Sequence, residues 1–488
     1  MSKTKDTKKL VWTIVGLVFM FLFQFLPAPE GLNKLSMQII GIFIGTVILW
    51  LNVSIEWPSL LAVVCLVFTQ IMKPNAVWQS FFGNSTILFL AFSYMMAHCI
   101  SESGLLKRVA LWFISRKITK SHPWALVIML TLAALVISLV ILPSTMILIF
   151  LPIMAAIFEQ CDMEQGDPLA ELVVLLVSFV GCTGQGMTPI GHAHPVVAMT
   201  VLESVTGYSM SYADFMTFAI PTGLVIIILT FLYFKFIVKM DVSKLAKADT
   251  EKLATELGPI SKREKFTAVV FIAVIFCWLA PAIFKPINAD IANWFSNMVG
   301  TVIPPMVAVI IFSVFKVDGK PLCNFKEAST KGVPWSMCFL VGASVVVSGC
   351  LTNEATNVTG WLGTVLGGVG NNLPVLVVII FFTALAVIST NFASNAVCAT
   401  LVTTIMLPVA AVLGAKLNPY AMTAVIGSAV NNAFATPVAT ATITIIAGSG
   451  WVTGKNTFKH GMVTALIAIV VFVVMGYPLA NIIMPYAG

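Results

Sequence analysis

Four polar interruptions sit inside the longest apolar runs of this chain, and they come in two matched pairs. The first pair is Leu142-Pro143-Ser144-Thr145 followed by Thr188-Pro189-Ile190-Gly191-His192; the second is Ala393-Ser394-Asn395-Ala396 followed by Thr436-Pro437-Val438-Ala439-Thr440. Behind each tip comes a Leu-Pro pair, Leu151-Pro152 and Leu407-Pro408. A spanning helix broken in this way frees backbone N–H and C=O groups that hydrocarbon cannot satisfy. Such breaks survive only inside protein or along a wet cavity. Paired breaks in corresponding places are the sequence sign of a transporter whose site is built from discontinuous helices at mid-membrane.

Composition sets the solvent. Only 10% of the 488 residues are charged, 59% are hydrophobic, and mean hydropathy is +1.00. Soluble domains carry roughly a quarter charged residues, so this is an integral membrane protein. The net charge of +7 has no basic stretch interleaved with aromatics, and nucleic acid is not an expected partner. Nine dispersed cysteines without a CxxC suggest neither a disulfide framework nor a zinc site. No cofactor is expected. Leu10 to Leu26, behind Lys8-Lys9, is too long and lacks a clean cleavage site for a signal peptide, and reads as a retained first span.

Apolar segments near 10–27, 36–52, 57–72 and 86–100 precede a short basic amphipathic piece. The run 123–158 has its break near the middle, which fits two half-length arms folding back as a re-entrant hairpin better than one over-long helix. A broken segment at 168–204 and a span at 214–239 end the first half. Residues 240–265 form the most charged stretch, read as a cytosolic linker or interfacial helix using Leu245, Leu253 and Leu257. Spans near 266–284, 298–315 and 334–352, a second hairpin at 373–412, a broken segment at 420–448 and a last span at 461–484 repeat the plan. Ser121 to Val127 also faces Asn372 to Val378 at a similar offset, so the halves look duplicated.

Charge tests the layout. With eleven spans, two hairpins and the N-terminus inside, 23 of the 27 lysines and arginines lie in cytoplasmic segments, and only Lys34, Lys73, Lys285 and Lys416 lie outside. That asymmetry obeys the positive-inside rule for a plasma-membrane protein. It places the C-terminus outside, and the two hairpins enter from opposite faces. The expected fold is therefore an all-α membrane protein of two inverted-topology repeats.

The candidate site follows from the breaks. Half-helix N-termini bring unpaired donors and about +0.5 of an elementary charge each. Around them stand the hydroxyls of Ser144, Thr145, Thr188, Ser394, Thr436 and Thr440 and the amides of Asn395, Asn431 and Asn432. Pro189, Gly191 and Pro437 shape the loops, and the glycines at 181, 184, 186 and 191 permit close backbone approach without forming a phosphate loop. No lysine or arginine falls within 123–158, 168–206, 374–413 or 419–448. A dianion held there needs several converging donors or the help of a cation. His192 is the candidate for that help, His194 a weaker one, and His98 reads as structural. The bland alternative for each Ser and Thr is back-bonding to its own helix, which repetition next to a break makes the poorer reading.

These residues resemble the divalent anion:sodium symporter family, which includes dicarboxylate, citrate and tartrate carriers. That family carries Ser-Asn-Thr at two hairpin tips, a following Leu-Pro, and a Pro-containing break in two later helices. Here the second tip keeps Ser394-Asn395 with Ala396 in the third place, and the first keeps only Ser144-Thr145. The resemblance implies a homodimer working by an elevator mechanism, with no enzymatic activity. Residues 1–122 and 266–371 would form the scaffold, and 123–239 and 372–488 the transport domain. It also implies substrate contacts at the tips and breaks, with a residual sodium site near Ser144, Gly184, Asn395 and Ala439. The altered tips lead to the expectation of sodium-independent exchange of succinate, malate, 2-oxoglutarate or citrate. The alternative is a Na+- or H+-coupled symporter on the same fold; a channel or an intramembrane enzyme fits less well, lacking a polar ring or a catalytic motif.

Overall fold

A computed structural model describes residues 2–249, 255, 258–361, 364, 374–437 and 439–486. Among them, nine helices are long and apolar enough to cross a membrane, or up to eleven if each of two bent pairs counts as one span. Among the described residues helices predominate, and the strands form a two-stranded ribbon, Lys316–Val317 against Lys320–Pro321, closed by Asp318-Gly319 with both residues at positive φ, as a two-residue hairpin turn requires.

Both hairpins form. The first folds Pro123–Ser138 back onto Pro143–Gln160, and the second folds Val375–Thr390 back onto Asn395–Leu413. Each entering arm has 16 residues, about 24 Å at 1.5 Å per residue, short of the ~30 Å hydrocarbon core. Proline opens the first return arm at the one helical position where a missing N–H costs nothing. Both broken helices form too. Pro168–Gln185 stops at Gly186 and resumes as Ala193–Thr206, while Pro419–Ala429 stops at Val430 and resumes as Ala441–Gly448.

The repeats are intertwined rather than side by side. The second part of the first broken helix packs on the return arm of the second hairpin and on Pro419–Ala429. The second part of the other broken helix packs on the return arm of the first hairpin. One apolar core encloses both hairpins and both broken helices, together with Ser85–Glu102, Leu105–Ile114, Lys262–Phe284 and Ile303–Val314. A smaller core joins the first three helices, Pro74–Phe82 and Trp335–Leu351, and reaches the second tip at Ala396 and Val397.

Three details depart from the sequence reading. The segment expected as a straight span at 298–315 is the second part of a bent pair, Ala289–Val299 and Ile303–Val314, at 63°; Gly300, at positive φ, lies in the bend. Trp335–Leu351 is likewise preceded by Phe325–Gly332 at 62°. The span expected at 86–100 is lengthened by Pro74–Phe82 into a run ending at Glu102. In the linker, Leu245 is buried in a short helical turn, Ser243–Lys247; Leu253 and Leu257 lie outside the described residues, as do Asn372, Leu373 and Val438.

The loops sort into two faces. On one, Arg108 Nε meets Glu264 at 2.8 Å, Lys244 meets Asp167 at 2.5 Å, and Gln165 donates to the Ser449 carbonyl. On the other, Asn33 donates to the Ala355 carbonyl, Asn357 to Gly31, and Tyr208 stacks on Tyr420 with centroids 3.8 Å apart. Segments that alternating spans assign to one side bond with one another.

Candidate functional site at the crossing of the broken helices

The two broken helices and the ends of the hairpins' entering arms meet in one hydrogen-bonded cluster within the apolar core. Thr188 Oγ1 donates to the carbonyl of Leu139, the residue that closes the entering arm of the first hairpin. Thr436 Oγ1 donates to the carbonyl of Asn391, which closes the entering arm of the second. The two threonines of the repeated Thr-Pro therefore do the same job: each ties a break to the hairpin of its own repeat. Thr188 Oγ1 also accepts from Gly191 N–H at 2.9 Å. Gly191 is needed for this approach, since a Cβ there would stand 2.5 Å from the Ser138 carbonyl oxygen.

A second set of bonds joins the repeats to each other. Ser428 Oγ donates to the Gly186 carbonyl at 2.8 Å, and Thr183 Oγ1 donates to Asn432 Oδ1 at 3.3 Å. His194 Nδ1 lies 2.7 Å from Asn431 Oδ1. Because Asn431 Nδ2 donates to the carbonyl of Gly427, its Oδ1 must face the ring, and the proton between them sits on His194 Nδ1. His192 Nδ1 accepts from Ala193 N–H at 2.9 Å, so a neutral His192 carries its proton on Nε2. The rings stack with centroids 3.7 Å apart. Two neighbouring imidazoles are thus held in opposite tautomers, one presenting a donor and the other an acceptor.

The expected site residues divide by what they touch. Thr188 and Thr436 spend their hydroxyl protons on the hairpins, and Pro189 and Gly191 are buried in the loop between. Ser144, Thr145, Ser394, Thr440 and His192 are half-buried, and Pro437 is exposed. Asn395 is buried and accepts from Thr390 Oγ1 at 2.8 Å, which also lies 2.6 Å from the Val430 carbonyl. No side chain caps the helices that start after Leu142, Ser394 and Thr440. Their first-turn N–H groups and dipoles are therefore available to an anion. Near the residues named for a cation, Gly184 packs directly against the Ser138 hydroxyl, and Ala439 is buried. Among the described residues no hydrogen bond links Ser144 or Thr145 to Ser394 or Asn395.

Sequence reasoning passed over several residues that hold the cluster, Thr183, Thr390 and Ser428 among them, and two stand out. Asn391 Oδ1 accepts from both Phe434 and Ala435 N–H at 2.8 Å, and its Nδ2 donates to the carbonyls of Val387 and Asn432. Every polar atom of that amide is used. The only hint was an Asn beside the tip that has no counterpart at Leu139. Tyr94, on the helix Ser85–Glu102, receives the Ala193 N–H on its hydroxyl at 3.1 Å, and nothing in the sequence marks it.

Against known proteins, residues 7–484 match the family profile described as the sodium:sulfate symporter transmembrane region. The chain belongs to this family. The sodium-dependent dicarboxylate transporter SdcS of Staphylococcus saprophyticus is 24% identical over 98% of this chain and 92% of its own length. The protein of the same name from Staphylococcus aureus strain USA300 is 23% identical over 99% and 94%. The crystal structure of the YdaH transporter of Alcanivorax borkumensis overlays with a TM-score of 0.54 at 12% identity, covering 86% of this chain and 90% of that one; that likeness is one of fold. As a member of this symporter family, the protein is a multi-pass membrane carrier and not an enzyme.

Proposed function

We propose that the protein is a cation-coupled dicarboxylate symporter, with sodium as the coupling ion and four- to five-carbon dicarboxylates as cargo. The observation that carries this reading is the neutral character of the cluster. The segments that build it contain no lysine or arginine, while three uncapped half-helix N-termini accompany it. Each helix end offsets about 0.3–2 kcal/mol of an anion's cost, which leaves a dianion under-compensated in a dry site unless a cation travels with it. Relatives matched over almost the full length are named sodium-dependent dicarboxylate transporters. This supports coupling over the sodium-independent exchange first expected from the altered tips.

In this reading the substrate sits between the tips, with Ser144, Thr145, His192, Ser394, Asn395 and Thr440 as direct donors. Thr188, Pro189, Gly191, Thr436 and Pro437 shape their surroundings. Sodium takes carbonyl and amide oxygens near Ser144, Gly184, Asn395 and Ala439. Segments 123–239 and 372–488 move as a transport domain against a scaffold of 1–122 and 266–371, paired as a homodimer in the plasma membrane. The basic face is cytoplasmic under the positive-inside rule.

The test is uptake of labelled succinate into proteoliposomes, empty or preloaded, with Na+ or choline outside. Uptake into empty vesicles driven by inward Na+ is expected. Uptake that ignores Na+ and needs internal anion would establish exchange instead. Ser394→Ala and Asn395→Ala are each expected to lower uptake roughly tenfold, equivalent to ~1.4 kcal/mol, with expression unchanged.

A further inference from the structure

Resting on that reading, we propose an antechamber for carboxylate on the basic face, between the first hairpin tip and the helix Ser85–Glu102, where an anion pauses before it reaches the central cluster. A cavity of about 100 Å³ lies there, lined among others by Tyr94, His98, Ser101, Thr145, Lys331 and Gly332. It has room for several waters or one small carboxylate. From Tyr94 to Ser101 the helix rises about 10 Å, so the cavity runs from the depth of the tip toward the loops of that face.

Three observations single it out. Its inner end is one side chain from the central cluster, because Tyr94 lines the cavity and its hydroxyl receives the N–H of Ala193, next to His192. Its wall includes a tip residue, Thr145. Its polar groups are open: among the described residues the side chains of His98, Ser101 and Thr145 make no hydrogen bond. Lys331 supplies the charge the central cluster lacks. Its ammonium is bonded to Glu327 at 2.7 Å, yet the side chain as a whole is 70% exposed, so the carboxylate shares the lysine with Glu327, while Glu102 also stands near it. Gly332 closes the floor against this helix, where a Cβ would come within 2.9 Å of His98 Cβ. Because Glu327 and Glu102 offset Lys331 locally, the attraction comes from the excess of lysine and arginine over that whole face, with Lys331 as the contact at the mouth; the dianion is then handed to the neutral hydroxyls and helix ends inside.

The test uses Ser101→Cys and follows its modification by a membrane-impermeant, negatively charged thiol reagent in vesicles of either orientation, subtracting the reaction of the protein that has Ser101 intact. Modification from the basic face, slowed by succinate, is expected. Lys331→Gln should raise the protecting succinate concentration about five-fold, the loss of one solvent-screened charge contact. It should raise KM for succinate presented from that face alike, and leave KM from the opposite face unchanged. Lack of protection, or an equal KM change from both faces, would overturn the antechamber while leaving the symporter reading intact. A symporter failure would show separately, as Na+-independent uptake by the unmodified protein.

Discussion

At the scale of single residues, the repeated threonines and one unrepeated asparagine hold the cluster together. Thr188→Val and Thr436→Val keep shape and remove one donor, leaving the Leu139 or Asn391 carbonyl short of its partner. Each is expected to cost about 1–3 kcal/mol, read as a lower midpoint in thermal unfolding of detergent-solubilised protein, whereas Thr→Ser at either position should hold close to the parent. Asn391→Ala removes four bonds at once and should destabilise more than either threonine change in the same assay. Residue chemistry was only partly legible beforehand. Repetition exposed Thr188 and Thr436 and pointed to the breaks, but a hydroxyl that donates to a hairpin carbonyl and one that donates to cargo look the same in sequence. Asn391 has no twin in the first repeat, and comparison of the halves could not reveal it.

At the scale of elements, the hairpins and broken helices were readable because each needs a polar interruption at a fixed place in an apolar run. The bent pair Ala289–Val299 and Ile303–Val314 was not, since its turn carries no run of polar residues and its apolar count is that of a straight span. The charged linker gives an element-scale prediction. Lys244 and Lys247 clasp Asp167 and Asp162, and the Asp249 N–H donates to Gln160 Oε1. Burial works against the Asp167 carboxylate, but Lys244 and the N–H groups of Leu169 and Ala170 outweigh it and hold its pKa below the usual aspartate value. A depressed folded pKa means that this clasp is fully present above about pH 3.9 and is lost as pH falls through the folded value. Limited proteolysis within 240–249 by a protease of broad specificity should therefore be unchanged between pH 7 and 5. Lys244→Gln should speed that cleavage at neutral pH.

At the scale of the whole molecule, inverted repeats and charge asymmetry were legible in the sequence, whereas the exchange of arms between repeats was not. Contacts more than 240 residues apart leave no local trace. The proposed movement can be tested where the two sets of helices touch. Thr86 Oγ1 and Thr200 Oγ1 lie 2.8 Å apart, on the helices Ser85–Glu102 and Ala193–Thr206. A cysteine pair at these positions, once oxidised, should stop succinate uptake and release it on reduction. Transport that continued through the cross-link would exclude rigid-body sliding at that contact.

The exchanged arms also bear on how the protein is made. The Gly186 carbonyl waits for Ser428, and His194 for Asn431, separated by 242 and 237 positions. While the ribosome is still producing the second half, the first half sits in the bilayer with groups that lipid cannot satisfy. The nascent half is therefore expected to be less stable alone than when its partner is present. Residues 1–249 produced alone should be degraded, and co-production of 250–488 should rescue them. On that expectation neither half is finished until both have been synthesised.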